Sequence, residues 1–173
     1  MQLKGEEASA SSFLLSLNMI DKQLVSDIAT KYLNETSMFL VDVAVRPGNI
    51  IVVEIDSEEG ISIEDCIKLS KSIESHFDRD AEDFELEVGS AGITSPFKIP
   101  RQYAKNIGNE VEVLTKFGQK LSGILKSSDD TGFTITITKM VKPEGAKRKV
   151  AVEEDFSYKY DEVKYTKYLI RFK

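Results

Sequence analysis

The chain has 173 residues, 41% hydrophobic and 30% charged, with a net charge of −6 and one cysteine. That length and composition suit one soluble globular domain or two small ones, and no apolar run approaches the roughly 20 residues of a membrane-spanning helix. Cys66 has no partner for an internal disulfide, which fits a reducing compartment.

The net charge hides an asymmetry. Residues 19–98 carry seven Lys and Arg against seventeen Asp and Glu, net −10, whereas residues 99–173 carry fifteen against ten, net +5. An acidic half joined to a basic half implies two roles, with the basic half suited to meeting phosphate.

Met1–Asn18 is rich in Ser, Ala and Glu, and its apolar patch Phe13–Leu17 is too short and poorly flanked for a secretory signal. Residues 1–18 are read as a disordered tail or as a start assigned upstream of Met19. Asp21 is then suited to cap a helix in which Leu24, Val25, Ile28, Ala29, Tyr32 and Leu33 recur at helical spacing. Phe39, Val41, Val43 and Val45 alternate with polar partners, Pro47-Gly48-Asn49 turns, and Ile51, Val53 and Ile55 alternate again, which predicts a hairpin.

Ser62 is a good N-cap, with Glu64 and Asp65 in the first turn where the helix dipole favours negative charge. Ile63, Ile67, Ser70, Ile73 and Phe77 predict the buried stripe of that helix, with Cys66 beside it. Phe84, Leu86 and Val88 alternate with Glu85 and Glu87 as a half-buried strand. The order helix, strand, strand, helix, strand predicts an N-terminal α/β layer over residues 19–98. Gly89, Ser90, Gly92 and Pro96 follow as a structural joint, the glycines expected to allow backbone angles that side chains forbid.

Residues 99–173 read as a short helical turn over Pro100–Asn106, then all-β, giving an α+β chain overall. Strands are predicted at Glu110–Thr115, Lys120–Lys126, Phe133–Lys139, Lys149–Val152 and Tyr168–Phe172, closed by full pairing into a small barrel.

Several constellations bear on chemistry. Asp56, Glu58, Glu59, Glu64 and Asp65 lack the spacing of an EF-hand loop and read as caps and a solvated face, so no metal is expected; such a surface repels RNA. Gly89-Ser90-Ala91-Gly92 matches the GxxG pattern of nucleic-acid clamps, but it follows a strand and reads as a turn. Ser90 as a nucleophile would need a base, and His76 is the single histidine, so catalysis is not expected and no cofactor is implied.

The basic side chains are the functional candidates. Lys142, Lys147, Arg148 and Lys149 surround a turn at Pro143-Glu144-Gly145, Lys116 and Lys120 flank Phe117-Gly118, and Lys98, Arg101 and Lys105 follow the joint. Lys164, Lys167, Arg171 and Lys173 decorate the last strand region. Such residues either contact RNA phosphates or keep a small barrel soluble; the charge asymmetry favours contact. Tyr158, Tyr160 and Tyr165 are surface aromatics suited to stacking, whereas Tyr168, alternating with Ile170 and Phe172, is expected to pack inside.

Three segments together resemble the RimP family, the bacterial ribosome maturation factors: IDSEEGISIEDC at Ile55–Cys66, LEVGSAGITSPF at Leu86–Phe97, and GNEVEV followed by SGIL within Gly108–Leu125. The resemblance runs from about Met19 to the end. It implies an N-terminal α/β domain, a C-terminal SH3-like barrel and action on the free small (30S) ribosomal subunit during late assembly, without catalysis. It further implies rRNA and the small-subunit ribosomal protein numbered twelve as partners, with a monomer working in the cytoplasm away from membranes. Where the family often reads Ser-Ser-Pro-Gly and Leu-Asp-Arg-Pro, this chain has Gly89-Ser90-Ala91-Gly92 and Ile93-Thr94-Ser95-Pro96. Contacts of the missing residues therefore do not transfer to Ala91, Thr94 or Ser95. The Lys139–Lys149 hairpin also looks longer than in many relatives. A stand-alone RNA-binding regulator with an Sm-like or SH3-like barrel is the alternative reading.

Overall fold

The computed structural model describes residues 20–171. Residues 1–18, Phe172 and Lys173, for which the sequence raises expectations, lie outside the described residues. The chain divides into two compact units between Ala91 and Gly92, within the segment read as a joint.

In the first unit, Asp21 caps α1 (Lys22–Leu33) by accepting from Gln23 N at 2.8 Å, which satisfies one of the free donors at the helix start. Strand β1 (Met38–Arg46) pairs antiparallel with β2 (Ile50–Ser57), and β3 (Glu85–Ser90) pairs parallel with β2. The crossover helix α2 (Ile63–Glu74) starts in a complete capping box: Asp65 N donates to Ser62 Oγ at 3.1 Å and Ser62 N donates to Asp65 Oδ2 at 2.9 Å. Both helices pack with the strands around one apolar core that contains Val25, Leu33, Val53, Ile55, Leu69 and Ile73.

Register decides which residues face that core. Val43, Val53 and Val88 form one row across the sheet and Val45, Ile51 and Leu86 the next. A β-bulge between Leu40 and Asp42 corrects the expected alternation of β1. An extra residue reverses the inward phase, so Met38 and Leu40 face the core before it and Val43 and Val45 after it, while Phe39 and Val41 leave that face. The buried stripe of α2 keeps the expected Ile73 and Phe77, with Cys66 beside them, but takes fully buried Leu69 in place of Ile63 and Ile67, which are 82% and 48% exposed. Both stripes have helical period, and the packing of α2 on β3 and α1 selects the second.

The hairpin turn is held by a residue that composition alone does not single out. Gly48 (φ 87°) and Asn49 (φ 56°) are left-handed, and Asn49 is only 8% exposed. Its Oδ1 accepts from Ile20 N at 3.0 Å, while Nδ2 donates to Glu82 Oε1 at 3.1 Å and to Asp83 O at 3.2 Å. One side chain thereby ties the approach to α1, the β1–β2 turn and the approach to β3. Gly89 and Gly92, by contrast, are not left-handed, contrary to expectation; Gly89 continues β3 opposite Glu54, and only a Cβ on Gly92 would meet a neighbour, Ser95 Oγ at 2.6 Å.

The second unit contains the short helix α3 (Pro100–Lys105) and strands β4 (Glu110–Thr115), β5 (Lys120–Ser128), β6 (Gly132–Val141), β7 (Val150–Lys159) and β8 (Val163–Tyr168). Gly92–Lys98 fall with this unit, where Phe97 N donates to Thr166 O at 2.8 Å. Pro100 opens α3, where its missing donor costs nothing, and Gln102 Oε1 accepts from Lys98 N at 2.6 Å. The strand order β7-β6-β5-β4-β8 fits a small SH3-like fold.

Full closure by pairing is corrected: β7 and β8 are not bonded neighbours among the described residues, and a 3-10 turn at Tyr160–Glu162 carries the chain between them. The last strand among the described residues is Val163–Tyr168, and Leu169–Arg171, expected to continue it, are not part of a strand. Val163 and Thr166 are the inward residues of β8, and the polar threonine obscures the apolar alternation. Tyr168 is half-buried and ends the strand.

Tyr103 stands at the centre of the barrel's aromatic cluster, with ring centroids 5.0 Å from Phe97, 4.9 Å from Phe133 and 4.8 Å from Tyr160. Tyr158 and Tyr160 therefore pack against the barrel core, correcting their reading as surface aromatics. The Tyr160 hydroxyl donates to Asp129 O, which fixes the ring against the β5–β6 turn. The apolar body of Tyr160 is thus covered while its polar tip finds a partner.

Candidate nucleic-acid interface

Two hairpins of the second unit present the basic side chains. The longer is β6–β7, paired from Gly132–Lys159 to Val141–Val150, ten residues a side. At its base, Phe133, Ile135 and Phe156 belong to the barrel core or pack on it. Gly132 is needed there because a Cβ would lie 2.2 Å from Tyr158 O. Beyond Ile137 the strands leave the core and continue as a two-stranded ribbon. Val141, Val150 and Val152 are 44–45% exposed and Met140 61% exposed, since no layer covers either side of the ribbon there.

Charge is distributed along this ribbon in a definite order. Near the base, Lys126 Nζ pairs with Asp155, which also accepts from Thr136 Oγ1 at 2.7 Å, and Lys139 Nζ lies 3.3 Å from Glu154. The Lys126 ammonium and Thr136 hydroxyl hold the Asp155 carboxyl below its ordinary range. At the far end, Lys142, Lys147, Arg148 and Lys149 are all exposed, and none pairs with a carboxylate among the described residues. Glu144 is the lone acid in that loop, and Gly145 (φ 78°) supplies its left-handed residue. Four cations on a narrow projection give a concentrated positive end that a phosphate backbone can approach from more than one side.

The shorter hairpin, β4–β5, carries Lys116, Phe117 and Lys120. Lys116 is exposed, but Lys120 is engaged: its Nζ lies 3.3 Å from Glu112, whose side chain is only 12% exposed. Glu112 also accepts from Tyr165 at 3.1 Å and faces Lys167 at 3.4 Å. Burial disfavours its charge, yet the hydrogen bonds from Lys120 and Tyr165 and the nearby ammonium groups outweigh that and lower its pKa. Arg171 is likewise held by Glu110. Lys120, Lys167 and Arg171 thus knit β4 to β5 and to the chain around β8, a structural role the sequence does not distinguish from contact with a ligand.

Lys98 and Arg101 are exposed and Lys105 half-buried around α3, and none of the three is without a partner. In the first unit, Asp65 serves the capping box and Glu64 pairs with Lys68 at 3.1 Å. The face of the sheet opposite the core carries Asp42, Glu54, Asp56, Glu85 and Glu87 against the single Arg46, beside the buried Phe39 and Val41, so part of the acidic excess of this half lies there. His76 Nδ1 lies 2.8 Å from Ser72 O at the end of α2. Burial beside the core pushes the Cys66 thiol up, the opposite of an activated thiolate.

The RimP N-terminal domain profile matches residues 28–94. A ribosome maturation factor RimP from Porphyromonas gingivalis is 48% identical over 131 residues, 76% of this chain and 86% of that one. That of Christiangramia forsetii is 37% identical over 87% of this chain and 99% of its own, and that of Cytophaga hutchinsonii 25% identical over 88% and 95%. At 48% and 37% identity over 76% and 87% of its length, the chain belongs to the RimP family of ribosome maturation factors.

Proposed function

We propose that this protein binds the free small (30S) ribosomal subunit through its second unit and assists late assembly without catalysing a reaction. The support is the far end of the β6–β7 ribbon, where Lys142, Lys147, Arg148 and Lys149 are exposed and unpaired with any described carboxylate, on a chain belonging to a maturation-factor family. The acidic first unit, ending at Ala91, and the barrel unit, beginning at Gly92, divide the work: the barrel meets rRNA and the small-subunit protein numbered twelve, and the acidic unit repels phosphate. Lys98, Arg101, Lys105 and Lys116 extend the contact, while Lys120 acts mainly by bracing β4 and β5. The protein works as a cytoplasmic monomer. Binding the immature subunit more tightly than the mature one is sufficient to bias assembly, so no chemical step is needed.

Sedimentation of lysate through a sucrose gradient at two salt concentrations tests this. The protein should travel with free small subunits, avoid assembled ribosomes and come off as salt rises. Remaining at the top under both conditions would remove the subunit from the account, and tight binding to short naked RNA would then favour a stand-alone regulator.

A further inference from the structure

Phe117 is 98% exposed, the most exposed large apolar side chain among the described residues. A phenylalanine left in water forgoes the gain of burial, so its place at the tip of a tight turn asks for a reason. The turn is not loose. Thr115 N donates to Gln119 O at 2.9 Å, Gly118 N to Thr115 O at 3.0 Å, and Gln119 N to Thr115 Oγ1 at 3.1 Å. Gly118 takes the left-handed position (φ 86°), and Lys116 N donates to Glu162 O at 3.0 Å, anchoring the tip to the 3-10 turn. The ring is therefore held out on a braced support, with little ordering left to do on binding.

Its surroundings define the occupant. The neighbours Lys116, Gly118, Gln119 and Lys120 are exposed and non-apolar, and exposed Lys164 follows Val163, which pairs with Thr115. The Glu162 carboxylate is turned to Lys159 N at 2.8 Å. A knob for an apolar protein pocket is ordinarily ringed by further apolar surface; this one stands alone among cations. A flat apolar ring flanked by ammonium groups matches a ligand with a flat π-face on an anionic backbone, an unpaired nucleotide. We propose that Phe117 stacks on an unpaired base of the small-subunit rRNA, with Lys116 and Lys164 meeting the adjoining phosphates. The inference rests on the small-subunit reading above and adds to it a specific contact from the second hairpin.

The chain contains no tryptophan, so Phe117→Trp in the full chain places a single indole at this tip. With free small subunits as probe, Phe117→Ala should weaken binding about ten- to hundredfold and Phe117→Leu should not restore it, because an aliphatic side chain fills a pocket but does not stack. Phe117→Trp should bind like the parent, and its emission should be quenched by subunits and by an eight-residue oligoadenylate. A blue-shifted, brighter indole with Phe117→Leu binding normally would overturn the proposal in favour of a protein pocket; unchanged binding by Phe117→Ala would overturn it outright. If the parent chain fails to bind subunits, the proposed function falls while the oligoadenylate signal still decides the stacking claim, its absence refuting it.

Discussion

The polar side chains of the first unit and those of the second do different work. In the first, Asn49 joins three segments, Ser62 and Asp65 close the start of α2, and Arg79 donates to Phe84 O at 2.8 Å while pairing with Glu74. In the second, the network around Glu112 does similar work for the barrel, but the outermost cations, Lys116 and the four around the Pro143-Glu144-Gly145 turn, hold nothing together. Groups that satisfy the chain itself build the fold; groups left over at hairpin ends are available to a partner.

Breaking the second half of that contrast should have the largest effect. Changing Lys147, Arg148 and Lys149 together to Glu should lower subunit affinity about a hundredfold at low salt. Four phosphate contacts from this loop would contribute about −3 to the slope of log affinity against log salt, and the triple variant, which keeps Lys142 and the other proposed contacts, should make the slope shallower by about 2. Its urea unfolding midpoint should not move, since these side chains support nothing. Titration of subunits over a salt series, beside an unfolding curve, reads both.

The converse break is Asn49→Ala, which removes three hydrogen bonds and puts a Cβ-bearing residue without a local partner at φ 56°. A loss of about 2–3 kcal/mol in the first unit is expected from urea unfolding, with subunit binding unchanged below the transition. Asn49→Gly should recover only the conformational part, because the side-chain bonds stay lost.

Glu112 sharpens the comparison, since it is a charged residue of the second unit doing architectural work. Glu112→Gln should cost about 1 kcal/mol at pH 7. Its pKa is lowered from the ordinary 4.5, so its contribution is fully present above that value and is lost as pH falls through the folded-state pKa. The gap between parent and variant should therefore close in acid, which unfolding at pH 7 and pH 3 measures.

The smallest effect is expected from Glu85→Gln with Glu87→Gln, which lightens the exposed acidic side of β3 in the first unit. Non-specific RNA affinity should rise less than about threefold, as screened long-range repulsion allows.

Much of this architecture was legible in the residues. Asp21 and Ser62 announced their helices because capping is local chemistry, and β4 was legible because Val111 and Val113 alternate strictly with Glu110 and Glu112. The failures share a cause in tertiary pairing. The bulge in β1 is invisible in a run where Leu40, Val41 and Val43 are all apolar, and β7 was read as only its first residues because an outer strand paired on one side can carry Glu153, Glu154 and Asp155. At the interface, the basic residues were legible as a set but not as roles. Nothing local separates Lys120, which meets Glu112 across the hairpin, from Lys116, which points to solvent. Phe117 reads in the sequence only as part of a turn; an aromatic beside Gly between two lysines is its one local signal.

The most direct test of the account is site-specific photo-crosslinking in the full chain, with a benzophenone side chain at Lys147 in one variant and at Glu85 in another, each bound to free small subunits. The account predicts a crosslink to rRNA from position 147 and none from position 85. An rRNA crosslink from position 85 with none from position 147 would contradict it and move the interface to the acidic sheet.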